Sequence, residues 1–330
     1  MTGKGAFLRH DLSTPLEDHR GAVVAIGNFD GVHRGHRAVL DPTLARARDE
    51  GRPALVLSFE PHPRTLLQPD RPVFRLTPEP AKARVLEALG FDGLVTLPFT
   101  REVAATSAEG FVETYLAERL GAGHVVAGFD FHFGARREGT PERLVELGRA
   151  HGIEATLVEA FTEGGEALSS SRIRESLAAG DVAAAARALG HRWSVSGTIE
   201  RGQQLGRELG FPTANIVPEE DGAFALAHGI YAVRFTRADG TRHDGVASFG
   251  RRPTIGEGGA PWLETFLFDF NGDLYGEHAT VAFFERLRGE EAFENVDALV
   301  QQMHRDADAA RAVMAAARPL GALDRALNFR

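Results

Sequence analysis

Ala22-Val23-Val24-Ala25-Ile26-Gly27-Asn28-Phe29-Asp30-Gly31-Val32-His33-Arg34-Gly35-His36 is the stretch whose reading decides the fold. Its first five residues are apolar and rich in β-branched side chains, as in a strand buried within a parallel sheet. Residues 35 to 50 then read as a helix. Glycines in the loop between let the backbone approach a ligand, and the helix start offers unpaired amides and a positive dipole end to an anion. His33 and His36 are three apart, which puts both imidazoles on one face of a first helical turn, able to donate to phosphate oxygens. A nucleoside triphosphate suits such a place. Half of a metal site would use the same spacing, but it wants a third ligand, and the nearby Asp30 sits on the wrong side of a glycine.

Working outward, 330 residues suit two domains, and 43% hydrophobic with 25% charged residues describes a soluble globular chain. No apolar run is long enough for a bilayer and the first residues lack a signal-peptide pattern, so the expected location is cytoplasmic, without membrane contact. Absence of cysteine removes disulfides, thiolate metal sites and cysteine nucleophiles. A net charge of −9 speaks against nucleic acid as a partner. Lys4 and Lys82 are the only lysines. No P-loop sequence exists, so phosphoryl transfer in the second half must use backbone amides, hydroxyls, arginine and bound magnesium.

Strands are expected at 54–59, 93–97 and 124–128, alternating with helices at 79–89 and 108–120, the mark of a doubly wound parallel sheet. Residues 1–20 read as an irregular lead-in. Pro42 falls inside the first helix, and Asp41 is placed to cap a kink or restart there. The second strand ends in Glu60-Pro61-His62-Pro63-Arg64, a rigid loop at the strand's carboxyl end, where open α/β sheets bind ligands. The fourth ends in Gly128-Phe129-Asp130-Phe131-His132-Phe133-Gly134, again at a carboxyl end. A flat ring wants aromatic and apolar faces, so Phe59, His62, Pro63 and Phe129 are candidates for the wall of a flat-ring ligand. Ser169-Ser170-Ser171-Arg172-Ile173-Arg174 runs into a helix; hydroxyls and arginines there make a second anion site.

From Arg192 onward, alternation gives way to short strands at 194–199, 229–235, 244–249, 262–270 and 280–284, the pattern of a small antiparallel barrel. A helix over 292–317 packs across it. The expected domains are 1–187 and 188–330. Gly202, Gly206-Arg207 and Leu209-Gly210-Phe211-Pro212-Thr213-Ala214-Asn215 form a glycine-rich loop and a Pro-Thr-Ala-Asn element. Glu264 interrupts the apolar strand Trp262-Leu263-Glu264-Thr265-Phe266.

The Gly-x-Phe-Asp-Gly-x-His-x-Gly-His pattern resembles the HxGH nucleotidylyltransferases, in the variant carried by bacterial bifunctional riboflavin kinase/FAD synthetases. Residues 128–134 are similar to that family's Gly-x-Asp-Phe-x-Phe-Gly element and residues 169–174 to its Ser-Ser-x-x-Ile-Arg motif. The barrel segments, with Gly250-Arg251-Arg252-Pro253-Thr254 and Asp273-Leu274-Tyr275-Gly276, resemble the riboflavin kinase signature. The resemblance covers nearly all of residues 20–310.

It implies phosphorylation of riboflavin to FMN in the second domain, and adenylylation of FMN to FAD, with release of pyrophosphate, in the first. ATP and Mg²⁺ would serve both. In the first domain it implies nucleotide contacts at Gly27, Phe29, Asp30, Gly35, Asp130, Ser170, Ser171, Arg172 and Arg174, with His33 and His36 at the reacting phosphate. In the second it implies Glu264 as base, Thr213 and Asn215 as magnesium ligands, and Gly202, Gly206, Arg207, Gly210 and Pro212 around ATP and flavin. An HxGH transferase for another phosphate would leave the barrel unexplained. A flavin-binding regulator without catalysis is separated by turnover. The expected partners are riboflavin, FMN and ATP; a weak or transient homo-oligomer is left open.

Overall fold

The computed structural model describes residues 6–71, 73–159, 162–163, 166–202, 206, 209–218, 226–251 and 261–329. Arg207 and residues 252–254, singled out above, lie outside them. The chain divides into two compact units, Met1–Ser169 and Ser170–Arg330. The serine-arginine helix start thus groups with the barrel, ahead of the 187/188 boundary expected from sequence.

In the first unit six parallel strands, β1 Leu8–Asp11, β2 Val23–Ile26, β3 Ala54–Glu60, β4 Gly93–Pro98, β5 His124–Gly128 and β6 Glu154–Val158, form a sheet ordered β1-β4-β3-β2-β5-β6. Helices α1 Arg37–Glu50, α2 Pro63–Leu67, α3 Glu79–Leu89, α4 Arg101–Ala105, α5 Ala108–Gly110 and α6 Pro141–Ala150 connect them, and α5 runs into a π-helical stretch, Phe111–Arg119. Strand β2 is wholly buried, and its Val24 and Ile26 pack with Leu55, Leu57, Val95 and Leu97 against Phe111, Leu116 and Leu120. From β2 the chain builds one side of the sheet through β3 and β4, then resumes on the other side of β2 with β5. Loops leaving β2 and β5 therefore diverge at a topological switch point, where doubly wound sheets hold ligands. Contrary to the expected restart, α1 continues through Pro42, and Asp41 pairs with Arg37 instead of capping a new helix. The lead-in contributes β1, paired along the free edge of β4.

The second unit starts with α7 Ser170–Ala178 and α8 Val182–Leu189. Strands β9 Ser194–Glu200, β10 Thr213–Pro218, β11 Gly229–Arg237, β12 Arg242–Arg251, β13 Pro261–Leu267 and β14 His278–Arg288 close an antiparallel barrel in the order β10-β13-β12-β11-β14-β9; the two-residue strands β7 Thr162–Glu163 and β8 Glu166–Ala167 belong to the first unit. Helix α9 Val296–Ala316 lays Ala307, Ala310 and Met314 on Phe211, Phe268 and Phe284.

A final helix, α10 Ala322–Asn328, is pinned by fully buried Asp324, which accepts from the Arg192 amide (3.1 Å), the Arg192 guanidinium, the Leu320 amide (2.9 Å) and Asn328 Nδ2 (2.9 Å). The Arg192 guanidinium also lies over the rings of Phe284 and Phe329. Asp324→Asn keeps the shape but exchanges a charged acceptor for a neutral one, which is expected to cost about 1.5–3 kcal/mol, the range for hydrogen bonds to charged groups. Urea unfolding followed by tryptophan emission checks this, because Trp193 sits beside the anchor in sequence and stacks inside the barrel on Phe283.

Candidate active sites

The turn after β2 is built to an unusual backbone. Phe29 (φ 46°), Gly31 (φ 91°) and Val32 (φ 45°) are all left-handed, and Val32 is both β-branched and fully buried. For Phe29 and Val32, which are not glycine, this costs of order 1–3 kcal/mol each and persists only where surroundings over-determine it. Asp30 supplies part of that: its buried Oδ1 accepts from the amides of Leu76 (2.9 Å) and Thr77 (3.0 Å), while the Gly31 amide donates to Thr77 Oγ1 (2.8 Å). Asp30 thus faces into the protein and braces the turn.

The result is a stacked pair of imidazoles. His33 and His36 have ring centroids 3.6 Å apart at 18°, and Phe29 meets His36 edge-on at 5.4 Å. The His36 amide is shared between the His33 carbonyl (2.8 Å) and His33 Nδ1 (3.3 Å), which assigns the remaining ring proton of neutral His33 to Nε2. Gly35 allows the stack: a Cβ there would lie 3.0 Å from the His33 ring and 3.3 Å from the Leu168 carbonyl. Burial, then the neighbouring His33 ring, then Lys82 push the His36 pKa well below the ordinary imidazole value. His36 is the N-cap residue of α1, and its Nδ1 is buried without a hydrogen-bond partner. A neutral ring with one proton at a helix start can donate to an anion without carrying a charge of its own.

The other candidates of the first unit divide. The Gly27 amide extends the ladder to Leu57 (3.1 Å). In the loop after β5, Asp130 is exposed, and Phe129 is 56% exposed beside the carboxyl end of the strand. His62 caps α2, its Nδ1 accepting from the Arg64 amide (3.2 Å), with Pro63 in the first turn. Phe59 is different. Its ring is buried in the core, 6.1 Å from Phe99 and 6.4 Å from Phe111, so it offers a ligand almost no face. On α7, Ile173 and Leu177 are buried while Ser171 and Arg172 are exposed, so the polar residues line the open side of that helix start.

In the barrel, β10 and β13 bring three polar groups to one face. Asn215 stands opposite Glu264, and Thr213 opposite Phe266, with Thr213 and Asn215 on the same side of β10 by strand alternation. The indole of Trp262, two residues before Glu264 on that side, donates to Asn215 Oδ1 (3.0 Å) and Glu264 Oε1 (2.6 Å). Glu264 is half-buried and Asn215 is 4% exposed. Gly202 is required here: a Cβ would fall 2.2 Å from Asn215 Nδ2. The Gly206 carbonyl accepts from Phe211 (2.7 Å), closing the loop that leads through Gly210 (φ 83°) and exposed Pro212 into β10. The contact between Trp262 and the two polar groups was not expected from sequence, where the indole reads as one more apolar residue on a strand.

The family model for FAD synthetase matches residues 16–172, and that for riboflavin kinase residues 189–314. The bifunctional riboflavin kinase/FMN adenylyltransferase of Escherichia coli K12 is 37% identical over 310 residues, 94% of this chain and 97% of that one. The chain belongs to the bifunctional riboflavin kinase/FMN adenylyltransferase family. The Listeria monocytogenes member is 35% identical over 94% of this chain and 98% of its own, and the Pseudomonas fluorescens member 38% over 90% and 94%. A crystal structure described as a macrolide-efflux protein from Streptococcus pneumoniae superposes with a TM-score of 0.80 at 29% identity, over 92% of this chain and 98% of that one. Among the described residues here, no helix is long and apolar enough to cross a membrane. Both family matches fall in the order in which the parallel sheet and the barrel follow each other along the chain.

Proposed function

We propose that the barrel phosphorylates riboflavin with ATP to give FMN, and that the parallel-sheet unit joins the AMP moiety of a second ATP to FMN, giving FAD and pyrophosphate. The observation that carries this reading is chemical: one unit holds a carboxylate beside an amide and a hydroxyl, the other a pair of imidazoles at a helix start. Riboflavin's 5′-hydroxyl is neutral and needs a base as it attacks; Glu264 takes that proton. FMN brings a phosphate that is already an anion, so its attack on the α-phosphate asks for alignment and neutralisation of charge. His33 and His36 supply donors to that phosphate; the hydroxyls and guanidinium groups of Ser170, Ser171, Arg172 and Arg174 make a helix start of their own that suits an anion.

Magnesium fits the barrel site. Thr213 and Asn215 present hard oxygens from one strand face, Asn215 Oδ1 keeps a second lone pair beside the indole, and Gly202 and Gly206 leave the space a side chain would fill. Mg²⁺ typically takes one or two protein oxygens and completes its shell with phosphate and water, and when bound it neutralises charge on the transferring group. We place both reactions in the cytoplasm, where ATP is available. Asp30 we assign to bracing the turn, and Phe129, His62 and Pro63 remain the proposed flavin wall without Phe59.

Incubation with riboflavin, ATP and Mg²⁺, resolved by chromatography, is expected to show FMN and then FAD. Failure to form either product would overturn the reading. Trp262→Phe keeps an aromatic ring and removes the shared N–H; it is expected to slow FMN formation by about tenfold, equivalent to one hydrogen bond of about 1.4 kcal/mol. FAD formation from supplied FMN should be unchanged. Equal rates of FMN formation in the two proteins would remove Trp262 from the site.

A further inference from the structure

Lys82 is 3% exposed and sits on α3, remote in sequence from every motif of the first unit. Its Nζ donates to Ser58 Oγ at 2.8 Å, and Ser58 Oγ donates to the Asn28 carbonyl at 3.2 Å. A hydroxyl has one proton, and Ser58 uses it on Asn28, so the chain of donors runs from ammonium to hydroxyl to carbonyl. Lys82 also lies 3.4 Å from Glu60 Oε1, and Glu60 pairs with Arg75. Beside it, Asp30 and Gly31 are tied to Leu76 and Thr77. Residues 28, 30 and 31 are therefore each fastened to β3 or to residues 76–77 just ahead of α3, on both sides of the left-handed Phe29 and directly before the left-handed Val32.

Packing alone does not call for a lysine at this position. An apolar side chain of similar volume would fill it without burying an ammonium. Burial pushes the Lys82 pKa down, and the carboxylates of Glu60 and Asp30 hold it up. Lys82 reaches the phosphate turn by its charge on Asp30 and, through direct hydrogen bonds, by the relay from Ser58 to Asn28.

We propose that Lys82 is a positioning residue for adenylyl transfer: through Ser58 it fixes the Asn28 carbonyl, and so the backbone that stacks His33 on His36. The proposal rests on the reading of that turn as the adenylyl-transfer site. The ammonium also adds to the field that keeps His36 neutral.

The full chain carrying Lys82→Met is the first test. Its kcat for FAD formation from supplied FMN is expected to fall by about 10- to 100-fold, the scale of a small misplacement of reacting groups. KM for ATP and for FMN should stay within about threefold, since ground-state contacts are kept. FMN formation from riboflavin should be unchanged and reports that the chain is folded. Ser58→Ala retains the charge but breaks the relay, so it should reproduce the kcat loss, and the double variant should lose no more than either single one. Ser58→Ala also decides the matter should Lys82→Met fail to fold. Unchanged kcat in Ser58→Ala, or losses that multiply in the double variant, would overturn the proposal. Failure of the unsubstituted protein to make FAD would overturn the underlying reading, and this proposal with it.

Discussion

Replacing Glu264 by glutamine is expected to slow FMN formation by about 10²- to 10⁴-fold, the range for loss of a general base, while FAD formation from supplied FMN continues at its usual rate. Glutamine is isosteric and its Oε1 still accepts the Trp262 N–H, so the face shared with Asn215 keeps its packing. What disappears is the group proposed to take up the 5′-hydroxyl proton. The neighbours cannot replace it: Asn215, Thr213 and the indole are not bases at neutral pH, and the chain holds no lysine beyond Lys82. Steady-state rates of the two products, measured separately, check the result. A variant that phosphorylates riboflavin normally would show that the carboxylate is structural.

His36→Ala should do the reverse, lowering FAD formation from FMN by about 10²- to 10³-fold, the loss seen when a donor to developing charge is removed, with FMN formation intact. The ring does two things that alanine cannot. In the proposed reaction it would donate to phosphate at the start of α1, and it forms one side of the stack with His33. Because burial, His33 and Lys82 hold His36 neutral, its contribution does not depend on protonation near pH 7. The defect should accordingly persist, nearly constant, from pH 7 to the alkaline side. A loss that vanished on raising the pH would point to an imidazolium in its place.

Much of the architecture was legible because period and punctuation agreed. Strands β2 to β5 are short apolar runs between glycines and helices, and five of the barrel strands alternate between turn residues. Strand β10 escaped because its alternation, Thr213-Ala214-Asn215-Ile216, is only four residues long and lies between prolines after a glycine-rich loop; its place is fixed by pairing with β9 and β13. Strand β1 escaped for a similar reason, being a half-exposed edge strand defined by its ladder to β4. At the sites, motif spacing pointed to residues in the turn and on β13, since both are local in sequence. The bracing of that turn was not legible. Asp30, Ser58, Thr77 and Lys82 come from separate segments, and a buried lysine reads in sequence like any surface charge. Its one signal was scarcity, as one of two lysines in the chain. Phe59 was misleading in the opposite sense: an aromatic at a strand's carboxyl end suits a ligand wall, but the ring turned into the core.

The division of labour between the two units is tested most directly by complementation. Glu264→Gln and His36→Ala proteins are each given riboflavin, ATP and Mg²⁺, singly and as a mixture, and FMN and FAD are resolved by chromatography. Glu264→Gln alone should leave riboflavin unconverted, His36→Ala alone should stop at FMN, and the mixture should make FAD. If either folded variant lost both activities, so that mixing restored nothing, the two reactions would not belong to two sites.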